Sequence, residues 1–169
     1  MGEFAIVDLH EILDRCVQLV DHHLQLNNIK LVKAYQSGKT EVMCDKDQMQ
    51  QAFLAILVNA VEAMSGGGTL TIRTGTDMDK KKLKVEFQDT GSGISPKDLP
   101  HIFEPFYTTK KEGKGVGLGL SVCYGIIERH EGKISVQSKV GQGTTFIIEL
   151  PQQMLEEKRK EFSPKDVQA

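Results

Sequence analysis

Hydrophobic residues recur at spacings of three and four in three separate segments of the chain, which is typical of helices with one buried face. The first segment follows Asp8 and reaches about Gln25, the second follows Asp45 or Asp47 and stops at a run of glycines, and the third covers about 118–131. Aspartate commonly accepts the unpaired backbone N–H groups at a helix start. The pattern therefore predicts three helices, each of the first two capped by an aspartate.

Alternation of apolar and polar residues predicts six strands between and after these helices. Two are short, and the other four form two antiparallel pairs, each joined by a polar turn. The expected strands cover 29–34, 41–44, 69–74, 82–89, 133–138 and 144–150. The connection 91–117 is rich in Gly, Pro, Thr and Lys, with one short helix at about 96–101. A connection this long in a compact domain usually carries function or moves.

The composition is that of an ordinary globular protein of 169 residues, with 39% hydrophobic residues, 26% charged residues and a net charge of -2. It has no basic excess that favours nucleic-acid binding. Three cysteines lie far apart in apolar stretches and are expected to be buried, reduced thiols. No apolar stretch approaches about 18 residues and no signal-peptide pattern opens the chain. We expect a cytoplasmic chain without membrane contact, although its parent protein can be membrane-bound.

The length predicts a single domain over 7–151. Residues 1–6 read as a linker or an artificial remnant, and residues 152–169 as a charged tail or linker.

A glycine-rich octet, Gly113 to Leu120, leads into the third helix and contains four glycines. It fits neither a P-loop nor a dinucleotide fingerprint, because the required glycine, lysine and hydroxyl spacings are missing. Unpaired N–H groups at a helix start favour an anion. A merely flexible loop explains the octet equally well on its own.

Asn59 lies on the shoulder of the apolar face of the second helix, with Ala55 and Ala63 one turn to either side. The amide oxygen of asparagine is a hard ligand that suits Mg²⁺, which usually takes few protein groups plus phosphates and water. Alternatively, the Asn59 amide is simply hydrogen-bonded at the helix surface and has no role in binding.

Asp89 falls in register with the apolar face of its strand, so its carboxylate faces the core and needs a donor. Gly91 and Gly93 follow and let the backbone approach a flat ligand closely. Asp89 is therefore a candidate to accept a hydrogen bond from an exocyclic amine such as that of adenine. An aspartate before Thr-Gly can also simply cap a turn.

Four stretches in this order resemble one family: 51–64 (QAFLAILVNAVEAM), 89–94 (DTGSGI), 103–110 (FEPFYTTK) and 113–120 (GKGVGLGL). They are similar to the N, G1, F and G2 boxes of the ATP-binding catalytic domain of bacterial sensor histidine kinases, most like the nitrogen-regulatory branch. This domain belongs with the gyrase, Hsp90 and MutL ATPase domains. The resemblance implies an α+β, two-layer α/β sandwich, the Bergerat or GHKL fold. Its mixed, mostly antiparallel sheet of about five strands is covered on one face by three helices, with a mobile ATP lid.

The resemblance also implies a role for each matching residue. Asn59 coordinates Mg²⁺, Asp89 reads the adenine amino group, and Thr144 assists through water. The remaining residues of the implied ATP site shape the purine pocket, offer backbone N–H groups to the phosphates or belong to the lid: Glu62, Ala63, Gly91, Gly93, Ile94, Tyr107, Thr108, Lys110, Gly115, Gly117, Leu118, Gly119 and Leu120. Three cationic side chains follow in the same region: Lys110, Lys111 and Lys114. The sequence does not determine whether they contact the phosphates or only water.

Two departures from the family pattern bear on function. Hydrolysing members carry a glutamate four residues before the asparagine, where this chain has Ala55. Transfer is therefore favoured over hydrolysis, with Glu62 as the weaker candidate base. No histidine here has the context of a phosphoacceptor.

The expected partners are the phosphoacceptor helix of the same parent kinase and, indirectly, a response regulator, with this chain alone a monomer. The alternatives are a GHKL-type ATPase, an anti-sigma-type protein-serine kinase and a degenerate binding module.

Overall fold

The computed structural model describes residues 3–36, 38, 40–107 and 119–152. The three expected helices and the six expected strands are present, and one further strand precedes them. The elements in chain order are β1 (Phe4–Asp8), α1 (Leu9–Leu26), β2 (Ile29–Ala34), β3 (Glu41–Asp45), α2 (Lys46–Ala63), β4 (Gly68–Asp77), β5 (Lys82–Asp89), a short 3₁₀ helix (Leu99–His101), α3 (Gly119–Arg129), β6 (Lys133–Lys139) and β7 (Gly143–Pro151).

Aspartate side chains start the two long helices. The carboxylate of Asp8 accepts the backbone N–H of His10 at 2.9 Å at the start of α1. Asp45 accepts the N–H groups of Asp47 and Gln48 at 3.1 and 3.2 Å at the start of α2. Of the two aspartates that the sequence offered for α2, Asp45 is thus the cap, and Asp47 lies in the first turn.

A five-stranded sheet with the order β2-β4-β5-β7-β6 forms one layer of the fold. β2 runs parallel to β4, and the other neighbours are antiparallel. The buried side chains of the sheet and of the helices form one apolar cluster, which includes Phe53 of α2, Phe87 of β5 and Phe146 of β7. The two-layer α+β sandwich expected from the sequence is therefore confirmed.

β1 is the strand that the sequence analysis did not predict. It pairs antiparallel with β3, with Ala5 opposite Cys44, in a separate two-stranded sheet. Phe4 and Ile6 remain 48% and 42% exposed, so this strand lacks the buried alternation that identifies the others. It includes residues 4–6, which precede the domain boundary expected from the sequence.

Two further findings bear on the expectations from composition. Cys16, Cys44 and Cys123 are all buried free thiols, as expected. In the described part of the chain, no helix combines the length and apolar character that a membrane crossing requires.

Candidate functional site

Asp89 ends the inward-facing row of β5, after Leu83, Val85 and Phe87, and is only 3% exposed. Its Oδ1 accepts the backbone N–H of Gly91 at 2.9 Å and that of Thr144 at 3.2 Å. Burial raises the pKa of the Asp89 carboxyl above its ordinary value, while the two backbone hydrogen bonds lower it. The turn contact to Gly91 is the capping interaction that the sequence permitted. The bond to Thr144 adds a donor from a distant strand.

The loop after β5 lies against the end of α2. The N–H of Ser92 donates to the carbonyl oxygen of Ala63 at 3.1 Å. A Cβ atom added to Gly91 would lie 2.5 Å from that same oxygen. Gly91 is therefore required by the approach of the loop to α2, which brings the Asp89 loop beside the helix that carries Asn59.

The same loop also lies against the turn between β6 and β7. The N–H of Gly141 donates to the carbonyl of Ser92 at 2.8 Å. Gly93 has φ +77°, and a Cβ there would lie 2.3 Å from the carbonyl oxygen of Lys139. The sequence analysis assigned Gly91 and Gly93 to close approach of a ligand. The structure shows that both already make close approaches to protein backbone.

Thr144 sits opposite Asp89 on β7 and is 4% exposed. Its hydroxyl lies 2.8 Å from the Oγ of Ser138, which lies opposite Thr144 in the β6–β7 hairpin. Ser138 Oγ also contacts the N–H of Ile94 at 2.7 Å and the carbonyl of Gly143 at 3.0 Å. The sequence analysis did not single out Ser138, although the register of the predicted hairpin places it beside Thr144.

On α2, Asn59 is half-buried and makes no side-chain hydrogen bond within the described ranges. Ala63, one turn further on, meets the Asp89 loop, whereas Glu62 is exposed. One turn before Asn59, the Cβ of Ala55 lies 3.8 Å from the position that a Cβ of Gly119 would take. The start of α3 is therefore beside the same flank of α2.

Tyr107 is anchored through its hydroxyl, which donates to Asp98 Oδ1. Ser95 Oγ donates to the other oxygen of that carboxylate at 2.8 Å. These two bonds lower the pKa of Asp98, and the bond to Asp98 raises the pKa of Tyr107. Tyr107 also lies 5.2 Å, ring to ring, from His101, so it is tied to the 3₁₀ segment.

The other expected site residues divide between described and undescribed parts of the chain. Ile94 and Leu120 pack against the apolar cluster, and Gly119 opens α3 with an exposed position. The expected lid and phosphate-loop residues Thr108, Lys110, Lys111, Lys114, Gly115, Gly117 and Leu118 lie outside the described residues.

In the described residues, the loop after β5 at residues 90–94, here called the glycine loop, lies between the end of α2 and the β6–β7 turn, and the start of α3 lies beside the flank of α2 that carries Asn59. Among all the described residues, no group of three or more His, Cys, Asp or Glu side chains could hold a metal ion. An amide oxygen that has no hydrogen-bond partner among the described residues, as at Asn59, fits an ion such as Mg²⁺ that takes most of its ligands from phosphates and water.

Residues 44–154 match the model of the family described as Histidine kinase-, DNA gyrase B-, and HSP90-like ATPase. The chain belongs to this family. Asn59 and Asp89 both lie within the matched residues.

Curated relatives of this ATPase family member include larger kinases. The chain is 36% identical over 152 residues to Sporulation kinase E of Bacillus subtilis (strain 168), a match covering 89% of this chain and 20% of that protein. It is 45% identical over 136 residues to Sensor kinase CckA of Brucella abortus (strain 2308), covering 73% of this chain and 14% of that protein. The chain thus spans only a small part of the relatives it matches.

Solved structures agree with the family assignment. The catalytic domain of histidine kinase ThkA in a nucleotide-free form has a TM-score of 0.76 at 32% identity, covering 88% of this chain and 95% of that one. Full-length ShkA in complex with AMPPNP has a TM-score of 0.78 at 26% identity, covering 89% of this chain and 31% of that one. The fold is that of a histidine kinase catalytic domain.

Proposed function

We propose that this chain binds Mg-ATP and donates the γ-phosphate to a histidine on a separate phosphoacceptor module, in two-component signal transduction. The proposal rests mainly on the environment of Asp89. This residue is a buried carboxylate held by backbone donors from two segments, in a chain of an ATPase family.

Adenine recognition is assigned to the end of β5. A carboxylate accepts hydrogen bonds only, so Asp89 selects a base that presents N–H donors, such as the exocyclic amine of adenine. Gly91, Gly93 and Ile94 form the wall of the purine pocket, and Thr144 assists through a water molecule. The Gly91 and Gly93 contacts to neighbouring backbone hold this wall in place.

Phosphate binding is assigned to α2 and the start of α3. Asn59, with Glu62 and Ala63 beside it, would hold Mg²⁺ through its amide oxygen, and a bound ion would supply charge neutralisation for the phosphates. The backbone N–H groups at 117–120 bind phosphate oxygens, aided by the positive end of the α3 dipole. The lid comprises Tyr107, Thr108, Lys110 and Gly115, and the domain comprises residues 7–151 together with the first residues of β1.

Transfer is favoured over hydrolysis because the position one turn before Asn59 is an alanine. Ala55 carries no group that could activate water, and it packs beside Gly119 of α3. Phosphoryl transfer depends mostly on positioning and charge neutralisation, which the donor domain can supply. The nucleophilic histidine comes from the acceptor helix of the same parent kinase, and a response regulator is the indirect partner. A structure of ThkA in complex with the response regulator protein TrrA is among those similar to this chain.

The Mg²⁺ assignment is tested by calorimetric titration with ATP, with and without Mg²⁺. Asn59→Ala should remove most of the strengthening that Mg²⁺ gives to ATP binding, about tenfold in Kd, while metal-free ATP binds as before. Gln51→Ala, an exposed polar position on the same helix, is the matched control. An unchanged Mg²⁺ dependence in Asn59→Ala would exclude Asn59 as the ligand.

Transfer is tested by mixing the domain and labelled ATP with the separately produced acceptor module of its parent kinase. We expect an acid-labile, base-stable phosphoprotein, as a phosphohistidine requires. An acid-stable product would indicate a serine kinase, and steady release of phosphate without an acceptor would indicate a GHKL-type ATPase.

A further inference from the structure

Ser138 lies at the centre of a hydroxyl network that joins three parts of the proposed adenine pocket. It is half-buried on β6, opposite Thr144 of β7. Its Oγ contacts the N–H of Ile94 at 2.7 Å, the carbonyl oxygen of Gly143 at 3.0 Å and the hydroxyl of Thr144 at 2.8 Å. One side chain therefore links the glycine loop, the hairpin turn and β7.

The direction of each hydrogen bond follows from counting protons. The N–H of Ile94 can only donate, so Ser138 Oγ accepts it. The carbonyl of Gly143 can only accept, so the single hydroxyl proton of Ser138 points to it. All three contacts are hydrogen bonds at the same time only when Thr144 donates its proton to Ser138.

This arrangement fixes what Thr144 can offer to a ligand. With its proton committed to Ser138, Thr144 Oγ1 has only lone pairs left, so it acts as an acceptor. Asp89, whose Oδ1 accepts the Thr144 N–H at 3.2 Å, is an acceptor as well. A ligand group that faces both residues, directly or through one water, must therefore supply N–H donors.

We infer that Ser138 is a positioning residue that holds Thr144 as an acceptor and so makes the pocket selective for the amino group of a 6-aminopurine nucleotide. The inference rests on the proposed ATP-binding function and adds a specificity determinant to it. Without the Ser138 hydroxyl, Thr144 is free to turn its proton towards the ligand, and Ile94 loses the acceptor of its N–H.

The test compares two nucleotides that differ only in the 6-amino group. The Kd values of ATP and of purine riboside triphosphate are measured by calorimetry with Mg²⁺ for the parent domain and for Ser138→Ala, Ser138→Thr and Ser135→Ala. We expect the parent to prefer ATP at least tenfold. In Ser138→Ala this preference falls about tenfold, mainly through weaker ATP binding, as for the loss of one hydrogen bond.

The two other variants distinguish the effect of losing the Ser138 hydroxyl from a general effect of mutating β6. Ser138→Thr keeps the hydroxyl and should retain the preference within about twofold. Ser135→Ala, on the same strand, should behave like the parent. An equal loss of affinity for both nucleotides in Ser138→Ala would overturn the inference, because a purely structural role weakens both alike.

A variant of the partner residue keeps the test decisive if Ser138→Ala does not fold. Thr144→Val removes the acceptor but leaves the bonds from Ser138 to Ile94 and Gly143, so it should lose the same preference. An unchanged preference in Thr144→Val would also overturn the inference. Absence of ATP binding by the parent domain would instead reject the proposed function.

Discussion

At the scale of single residues, the buried carboxylate of Asp89 destabilises the fold while it supplies the acceptor proposed to bind adenine. The residue is 3% exposed, and burial raises the pKa of its carboxyl despite two backbone hydrogen bonds. An acid whose pKa is raised by folding stabilises the fold most below its unfolded pKa. That contribution is lost as the pH rises through the raised value. Asp89 therefore opposes folding at neutral pH, which is expected of a group kept for binding.

Replacing Asp89 by asparagine removes this titration while keeping a side-chain oxygen for the bonds from Gly91 and Thr144. We predict that the free energy of unfolding of Asp89→Asn, relative to the parent, increases as the pH is raised from about 4 to 7. Urea unfolding of both proteins across this range measures the difference. A difference that stays constant or shrinks with pH would show that the Asp89 carboxyl is not destabilised by burial.

The contrast between Asp89 and Ser138 shows which site residues a sequence reveals. Asp89 stands out because strand periodicity alone places a carboxylate on the buried face. Ser138 acts on Thr144 and also accepts the N–H of Ile94, which lies 44 positions away in the chain. Such a contact depends on the packing of a loop against a hairpin, which no local pattern encodes.

At the scale of elements, the glycine loop after β5 is held between the end of α2 and the β6–β7 turn. Gly93 and Gly141 have nearly the same backbone conformation, with φ of +77° and +79°. They differ in surroundings, because a Cβ at Gly93 would lie 2.3 Å from the Lys139 carbonyl oxygen, whereas one at Gly141 would have no atom of the described residues within 4 Å. Alanine substitutions at these two positions therefore distinguish the cost of backbone strain from the cost of a steric clash.

We predict that Gly141→Ala costs about 1 kcal/mol of unfolding free energy, the cost of an L-residue in the left-handed region. Gly93→Ala should cost at least about 2 kcal/mol more, because the hairpin turn must move away, and it should weaken ATP binding. Chemical unfolding of both variants measures the difference. Equal costs would mean that the loop and the turn are not in close contact.

The elements, the antiparallel β4–β5 and β6–β7 pairs and, through the family resemblance, the two-layer sandwich were predicted, but the pairings of β1 and β2 were not. Periodicity and capping residues predicted α1, α2, α3 and six strands, because each pattern reflects one face turned to the core. β1 was missed because Phe4 and Ile6 are exposed rather than buried, and because the whole of α1 and β2 separates it from its partner β3 in the chain. The placement of β2 parallel to β4 likewise depends on how α2 crosses the sheet.

At the scale of the whole molecule, three buried thiols report on the integrity of the core. Cys16, Cys44 and Cys123 come from α1, β3 and α3 and are at most 1% exposed. Burial raises their pKa values to about 12, about 11 and about 12 respectively. The reactive thiolate is therefore scarce as well as inaccessible in the folded domain.

We predict that none of the three cysteines reacts with a thiol reagent at pH 8 at the rate of a free cysteine. All three should become reactive together at the urea midpoint of unfolding, because they belong to one core. Mass spectrometry of labelled protein at increasing urea counts the modified thiols. Labelling of one cysteine well below the midpoint would show that its element opens separately.

The proposed ATP-binding function depends on Asp89 as the residue that recognises adenine. Calorimetric titration with Mg-ATP of the parent and of Asp89→Asn tests it most directly. We expect binding by the parent and at least about a hundredfold weaker binding by Asp89→Asn, because a carboxylate acceptor facing the amino group is lost. Equal binding by both proteins, or none by the parent, would contradict it.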